Sequence, residues 1–325
     1  MFGHIIWAAL ALAIAGSSAP SAGQGAPGGS ADLRLASIGY RLATANVALC
    51  TDRAPTPGLA VHALSEYDPP VRAAARAKFG FALPVAVEGV VAGSPAARAG
   101  VVANDALAAV DGLPLPLTPA TGLATGADRD AVLALIARRP ADAPLRLTLV
   151  RDGAQRVLTV PPSPGCRTQF QVVVAPPMEA SADGAIVQIG ARFFENYADD
   201  QVAAVVAHEL AHNILRHRVR LDAAGVKRGL LAEIGRNGRL FRRTESEADL
   251  LGVHLLRNAG YDPRAAVRFW REHGGDVDGG LFRSRTHPSS AARARAIEAE
   301  IARIPADAPR PYVPPMLATR DAPLE

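Results

Sequence analysis

The sequence predicts an α+β protein in which a β-rich unit is set within a mainly helical unit that has a small sheet of its own. Three observations predict this. The chain has 325 residues, 49% of them hydrophobic and 20% charged, enough length and apolar material for two cored domains of roughly 100–200 residues. Apolar residues recur at helical spacing near both ends. Between them, from Lys78 to about Val160, short Val/Leu/Ala runs alternate with Gly, Pro and Asp turns.

Aromatic residues make up only 5% of the chain, so the cores rest on Ala, Val and Leu. The net charge is +4, and apart from Lys78 and Lys227 every cation is Arg. These charges are scattered among acids, with a modest excess over Arg216–Arg243, and no aromatics interleave with a basic run. That pattern argues against a nucleic-acid partner.

The run Ile5–Ala15 is apolar throughout and is followed by a Gly/Ser/Pro/Ala stretch. Its length suits the core of an export signal and falls short of a membrane span. The expectation is a leader over residues 1–22 and a linker over 23–30, with an uncleaved anchor as the alternative. The protein is then periplasmic or extracellular, with no integral span in the mature chain. Asp32–Leu49 follows as a helix, with Leu35, Ile38, Leu42 and Leu49 on one face and Asp32 as its cap. Its two cysteines, Cys50 and Cys166, form an even pair in an exported chain, which makes them disulfide candidates.

In the β-rich stretch, Val85–Val91 reads as a strand and Ala131–Arg139 as a helix. Leu145–Val150 and Gln155–Val160 flank Asp152-Gly153 as a hairpin. The segments GSPAARAG (from Gly93) and NDALAAVDG (from Asn104) resemble a PDZ domain of the kind carried by bacterial periplasmic proteases. Phe79-Gly80-Phe81 resembles the carboxylate-binding loop of such domains. The resemblance implies that a peptide or an envelope protein partner docks there, its C-terminal carboxylate held by loop N–H groups.

The chemistry gathers further on. Gln169–Val174 and Ala185–Ile189 read as strands, and a helix from Asp199 or Asp200 runs into His208-Glu209-Leu210-Ala211-His212. Residues i and i+4 share a helix face, so His208 and His212 can grip one Zn²⁺. Glu209, one position along, can act as general base on a water without being a ligand. Such groups within a helix rich in Ala, Val and Leu need compensation, which a metal supplies. A catalytic zinc wants a third protein ligand and an open position. Glu245 can ligate, and Asp249, one turn on, can accept the other N–H of a ligating imidazole. Glu247 reads as exposed. His217 lies five after His212, the wrong spacing for the same face, and reads as structural or exposed, as do His62, His254 and His273. His287, in Thr286-His287-Pro288, can stabilise an oxyanion or occupy the open site and silence it.

HELAH, ESEADLLG, AGYDP (Ala259–Pro263) and THP followed by Arg293, in this order, resemble the HtpX/BepA-like zinc metallopeptidases, peptidase family M48, over about Gln169–Ile304. The resemblance implies one Zn²⁺ per chain on His208, His212 and Glu245, Glu209 as base, Asp249 as its supporting acid and His287 as the loop histidine. It implies a gluzincin-type fold of mostly helices with a small sheet, whose edge strand, expected at Ala185–Ile189, holds an extended substrate. The activity implied is that of an endopeptidase on misfolded or unassembled envelope proteins. The rival is a binding or chaperone-like protein whose peptidase unit is latent behind His287.

Soluble members of that family start with a helix packed on the peptidase unit, and residues 31–50 fill that place. The PDZ-like barrel is then an insert over 51–165, with its core at about 78–160, and the peptidase unit runs from 166 to 305 before a Pro-rich tail over 306–325. Cys50 and Cys166 mark the exit and re-entry points, so a disulfide between them is expected.

Overall fold

The computed structural model describes residues 30–117, 122–174, 178–226, 235–277 and 289–324. Helix α1 (Ala31–Ala45) opens at Ser30, whose Oγ accepts a hydrogen bond from the Leu33 N–H. The cap is therefore Ser30 and not Asp32. Asp32 lies in the first turn, where a carboxylate faces the positive end of the helix. Leu35, Ile38 and Leu42 are buried, and Leu49 is buried in the 3₁₀ turn that follows. A Cβ on Gly39 would stand 2.6 Å from the Phe170 ring, so the absence of a side chain lets α1 lie close against the strand that carries Phe170.

The chain continues through β1 (Arg53–Pro55), β2 (Leu59–Ala63), α2 (Arg72–Phe79), β3 (Val85–Val90) and the single turn α3 (Pro95–Arg98). Then come β4 (Ala106–Val110), β5 (Leu113–Pro114), α4 (Ala127–Ala137), β6 (Leu145–Arg151), β7 (Ala154–Val160) and β8 (Pro164–Cys166). The larger sheet is antiparallel, in the order β2-β3-β4-β6-β7 with β5 beside β4. The order is open, and β2 and β7 do not pair, which corrects the expected barrel. Closure is not needed to bury the core, because α4 covers it with Val132, Leu135 and Ile136 against Val85, Val87, Leu107, Leu147 and Leu149. Asp152 and Gly153 both take positive φ, 52° and 75°, the left-handed turn that matches strand twist in a two-residue hairpin.

Strands β1 and β8 pair antiparallel, with Arg53 opposite Cys166. The chain thus enters and leaves the sheet unit side by side. The Cys50–Cys166 disulfide stands at this neck, with Cα atoms 5.5 Å apart.

The rest is built from β9 (Gln169–Val173), β10 (Ala180–Ala182), β11 (Ile186–Gly190), α5 (Ala191–Asn196) and α6 (Asp199–Ile214). It continues through α7 (His217–Ala223), α8 (Gly235–Asn258), α9 (Arg264–Glu272), α10 (Gly274–Val277) and α11 (Ser290–Arg303). The small sheet runs β10-β11-β9, with β11 parallel to β9 and antiparallel to β10. The strand expected at the edge, now Ile186–Gly190, is therefore central, and β10 is an edge. Val187 and Ile189 are fully buried, as an interior strand requires. Helix α6 forms the centre of the core: Val202, Ala203, Val206, Ala207, Leu210 and Ala211 are buried against α1, α8 and α9. The Pro-rich tail packs back: Leu317 joins the main core, and Leu324 sits with Leu221, Val226 and Leu240. No helix among the described residues is long and apolar enough to cross a membrane.

Candidate metal centre

Helix α6 presents His208 and His212 one turn apart, and α8 lies against it and presents Glu245 and Asp249. The Nε2 atoms of the two histidines are 3.1 Å apart. Glu245 places Oε2 3.3 Å from His208 Nε2 and Oε1 3.5 Å from His212 Nε2. A tetrahedral ion with bonds of about 2.0–2.1 Å needs donor atoms spaced by about 3.3 Å. Two imidazole nitrogens and a carboxylate that turns one oxygen toward each at about this spacing fit a zinc-type site. Among the described residues, His208, His212 and Glu245 are the group that could hold a metal ion.

The atoms turned away from this point are also engaged. His208 Nδ1 lies 3.0 Å from Asp249 Oδ1. Asp249 in turn accepts two bonds from Arg293 of α11, from Nε and Nη2, each 2.7 Å long. The Arg293 guanidinium lies over the Trp270 ring, 3.5 Å from its centroid. Burial alone would raise the Asp249 carboxyl, but Arg293 and His208 outweigh it and hold it below the usual range. Burial would likewise lower His208, yet the hydrogen bonds with Asp249 and Glu245 hold it up at about 10. For His212 burial outweighs the pull of the Glu245 carboxylate and pushes it down to about 3.

The point opens into a cleft of about 360 Å³. Glu209 lines it beside the two histidines, with Phe193, Leu256, Phe269, Trp270 and Ile297 on its apolar side. Its opposite wall is Met178–Ala182, which includes β10. Among the described residues, strand β10 pairs with β11 on one side only, so an extended backbone could add to its other edge. The sequence pointed to the neighbouring strand because Ala180-Ser181-Ala182 is short and carries no apolar alternation.

His287 lies outside the described residues, as do Thr286 and Pro288. Phe79, Gly80 and Phe81 are described, and their arrangement overturns the carboxylate-loop reading. Gly80 takes φ 61° as the C-cap of α2, and the N–H groups of both Gly80 and Phe81 donate to the Arg76 carbonyl. Those donors are spent on capping the helix. Phe81 is buried and packs with Leu64, Ala75, Ala86 and Phe79.

His217 and Glu247 also depart from expectation. His217 is 2% exposed, and its Nδ1 lies 2.9 Å from His212 Nδ1. The i+5 argument assumed a continuous helix. In fact α6 ends at Ile214, and Arg216 at φ 55° turns the chain so that His217 begins a new helix facing His212. A non-glycine residue in the left-handed region gives the sequence no sign of this break. Glu247 is not the exposed acid expected: it accepts from His217, Arg220 and Arg243. Burial would raise it, but those bonds hold it down at about 2. His62 is buried against Phe79 and Phe81, and His254 bonds Glu300 at 2.8 Å. His273 is half-buried beside Tyr197. None of these three reaches the site.

An H-E-x-x-H pair on one helix with a carboxylate from a second is the arrangement of metal-dependent peptidases. Within that class, residues 229–301, which span Glu245, Asp249 and Arg293, match the model of peptidase family M48. The chain is also similar to the mitochondrial metalloendopeptidase OMA1 of Schizosaccharomyces pombe, 33% identical over 121 residues, which cover 31% of this chain and 36% of that protein. Its similarity to mitochondrial metalloendopeptidase OMA1 of Arabidopsis thaliana is 32% over 121 residues, covering 30% of this chain and 24% of that protein. The chain thus matches about a third of the first relative's length and about a quarter of the second's. These likenesses support a metalloendopeptidase.

Proposed function

We propose that the chain is a zinc-dependent endopeptidase whose metal ligands are His208, His212 and Glu245 and whose general base is Glu209. The observation that carries this is the convergence of three ligand atoms with Glu209 in one cleft, alongside a strand edge that no described residue pairs. A bound zinc supplies Lewis-acid polarisation of the scissile carbonyl and of a water. Glu209 takes the proton of the attacking water and returns it to the leaving amine nitrogen, so the C–N bond breaks without a free amide anion. Edge pairing with β10 holds the substrate backbone extended across the site. Asp249, fixed by Arg293, keeps His208 in the tautomer that offers Nε2.

The substrate class is misfolded or unassembled envelope proteins. Support for it comes from the export-signal pattern at the N-terminus and from the family resemblance. The Phe79–Phe81 loop has no part in this proposal, since its N–H groups are engaged within the fold.

Substituting Glu209→Gln tests the chemistry. Cleavage of casein is expected to fall by roughly 10²–10⁴-fold, the range lost with a general base, while zinc content per chain stays the same. A variant that cleaves casein at the wild-type rate would show that Glu209 is not the base.

A further inference from the structure

We infer that His217 is a positioning residue for the metal ligand His212, fixed in turn by a Glu247–Arg220 pair that ties the ligand to the carboxy-terminal segment. The inference rests on the proposed metal site and concerns atoms that the chemistry above does not use.

Hydrogen positions along this chain of contacts follow from one assignment. His212 turns Nε2 toward His208 and Glu245, so Nε2 must keep its lone pair to ligate. A neutral imidazole then carries its proton on Nδ1. The atom 2.9 Å away is His217 Nδ1, which must accept. His217 therefore holds its own proton on Nε2, and that atom lies 3.2 Å from Glu247 Oε2. Donors and acceptors alternate without conflict from the ligand to the carboxylate, with both imidazoles neutral. The opposite tautomer of His217 would set N–H against N–H at the 2.9 Å contact.

Glu247 is held from two further sides. Arg220 Nη1 donates to Oε2 at 2.8 Å, and Arg243 Nε donates to Oε1 at 2.8 Å. Arg220 is itself buried, and its Nε donates to the Ala322 carbonyl at 3.0 Å. The segment that bears Ala322 is anchored by Leu324 against Leu221, Val226 and Leu240. An unbroken series of hydrogen bonds thus joins the packed tail to one metal ligand. His208 is braced by a different device, Asp249 with Arg293. Each ligating histidine has a partner of its own on the side away from the cleft, and a lost partner of this kind typically weakens metal binding by 10–100-fold.

The test is the affinity of purified full-length protein for zinc, measured by competition with a chelator of known affinity. His217→Phe keeps a ring of similar size and removes both nitrogens. Its zinc affinity is expected to fall by about 10–100-fold. His217→Asn places a side-chain oxygen near the position of Nδ1 and restores an acceptor for His212, so it is expected to recover most of that loss. Glu247→Gln serves if the Phe variant does not fold. It removes the charge that orients His217 and is expected to weaken zinc binding in the same direction, by a smaller factor. Unfolding of the zinc-free proteins is followed in parallel, because a merely structural role would lower stability and leave zinc affinity unchanged. Folded His217→Phe or Glu247→Gln protein that binds zinc as tightly as wild type overturns the inference and leaves the metal site standing. Wild-type protein that fails to bind zinc overturns the metal site, and the inference with it.

Discussion

The helical unit and the sheet unit bury polar groups in opposite ways. Around α6 and α8, buried titratable side chains converge on one point, and each has its outward-facing atom engaged: His208 by Asp249, His212 by His217, Asp249 by Arg293. In the sheet unit, the buried titratable groups His62, Asp105 and Asp128 do not form a group of metal-ligand spacing. Of its buried acids, Asp105 braces the local chain by accepting from the Val102 N–H and from Arg151, while the partly exposed Asp111 pairs with Arg139. Buried polar atoms are costly unless satisfied. The sheet unit satisfies these acids within turns and rim pairs, and leaves His62 Nε2 and Ser65 Oγ without a partner among the described residues. In the helical unit, the ligand atoms of His208, His212 and Glu245 instead face each other at metal-ligand spacing, each histidine held from behind by a polar partner. That convergence of ligand atoms on one point is what marks a site, and it separates the two units more sharply than burial alone does.

The largest expected effect on the comparison comes from cutting the covalent link at the neck. The Cys50–Cys166 bond spans 116 positions, and removing a native disulfide typically costs about 2–5 kcal/mol. Cys50→Ala with Cys166→Ala is expected to lower the thermal midpoint, read by circular dichroism under oxidising conditions. If the two units are held mainly by this bond, the double variant should also show separate transitions where wild type shows one. An unchanged midpoint would mean that the β1–β8 pairing and the packing of α1 suffice.

Much of this arrangement was legible in the sequence, and what was missed has physical reasons. The helix bearing His208 and His212 declared itself by an apolar face interrupted by three polar groups. The Asp152-Gly153 hairpin was visible because its turn demands residues that tolerate positive φ. Strand order was not visible, since β11 could be seen as a strand but not as a central one, and β10 is three small residues. The role of Phe79-Gly80-Phe81 was misread because a glycine at a helix C-cap and one in a carboxylate loop look alike in one dimension. His217 was hidden by a helix break at Arg216, which has neither Gly nor Pro to announce it. The Pro-rich tail gave no hint that Ala322 would accept from Arg220.

The seam between the units offers the next effect in size. Glu88 of β3 faces Ser30, Asp32 of α1, Glu66 and Arg129. Burial, reinforced by the Asp32 carboxylate, pushes it up from 4.5 to about 7. A carboxyl raised in the folded state contributes stability that is fully present below about pH 4.5 and is lost as pH rises through about 7. With an allowance for partial exposure, the loss amounts to about 2 kcal/mol. Glu88→Gln should therefore match wild type near pH 4.5 and exceed its stability above pH 7 in urea unfolding. A difference between the two proteins that does not change between those pH values would sink this account of the seam.

The smallest effect sharpens the same contact. Ser30 accepts from the Leu33 N–H to cap α1, and its hydroxyl donates to Glu88 Oε1 at 2.7 Å. Loss of a cap costs about 1 kcal/mol, so Ser30→Ala is expected to destabilise by roughly that amount. The hydroxyl bond to Glu88 should make part of this cost depend on its partner. In a double-mutant cycle with Glu88→Gln at pH 8, where the carboxylate is ionised, a coupling of about 0.5–1 kcal/mol is expected. Additive single effects would mean that Ser30 acts on α1 alone. The helical unit would then meet the sheet at this point through packing, with no polar link from Ser30 to β3.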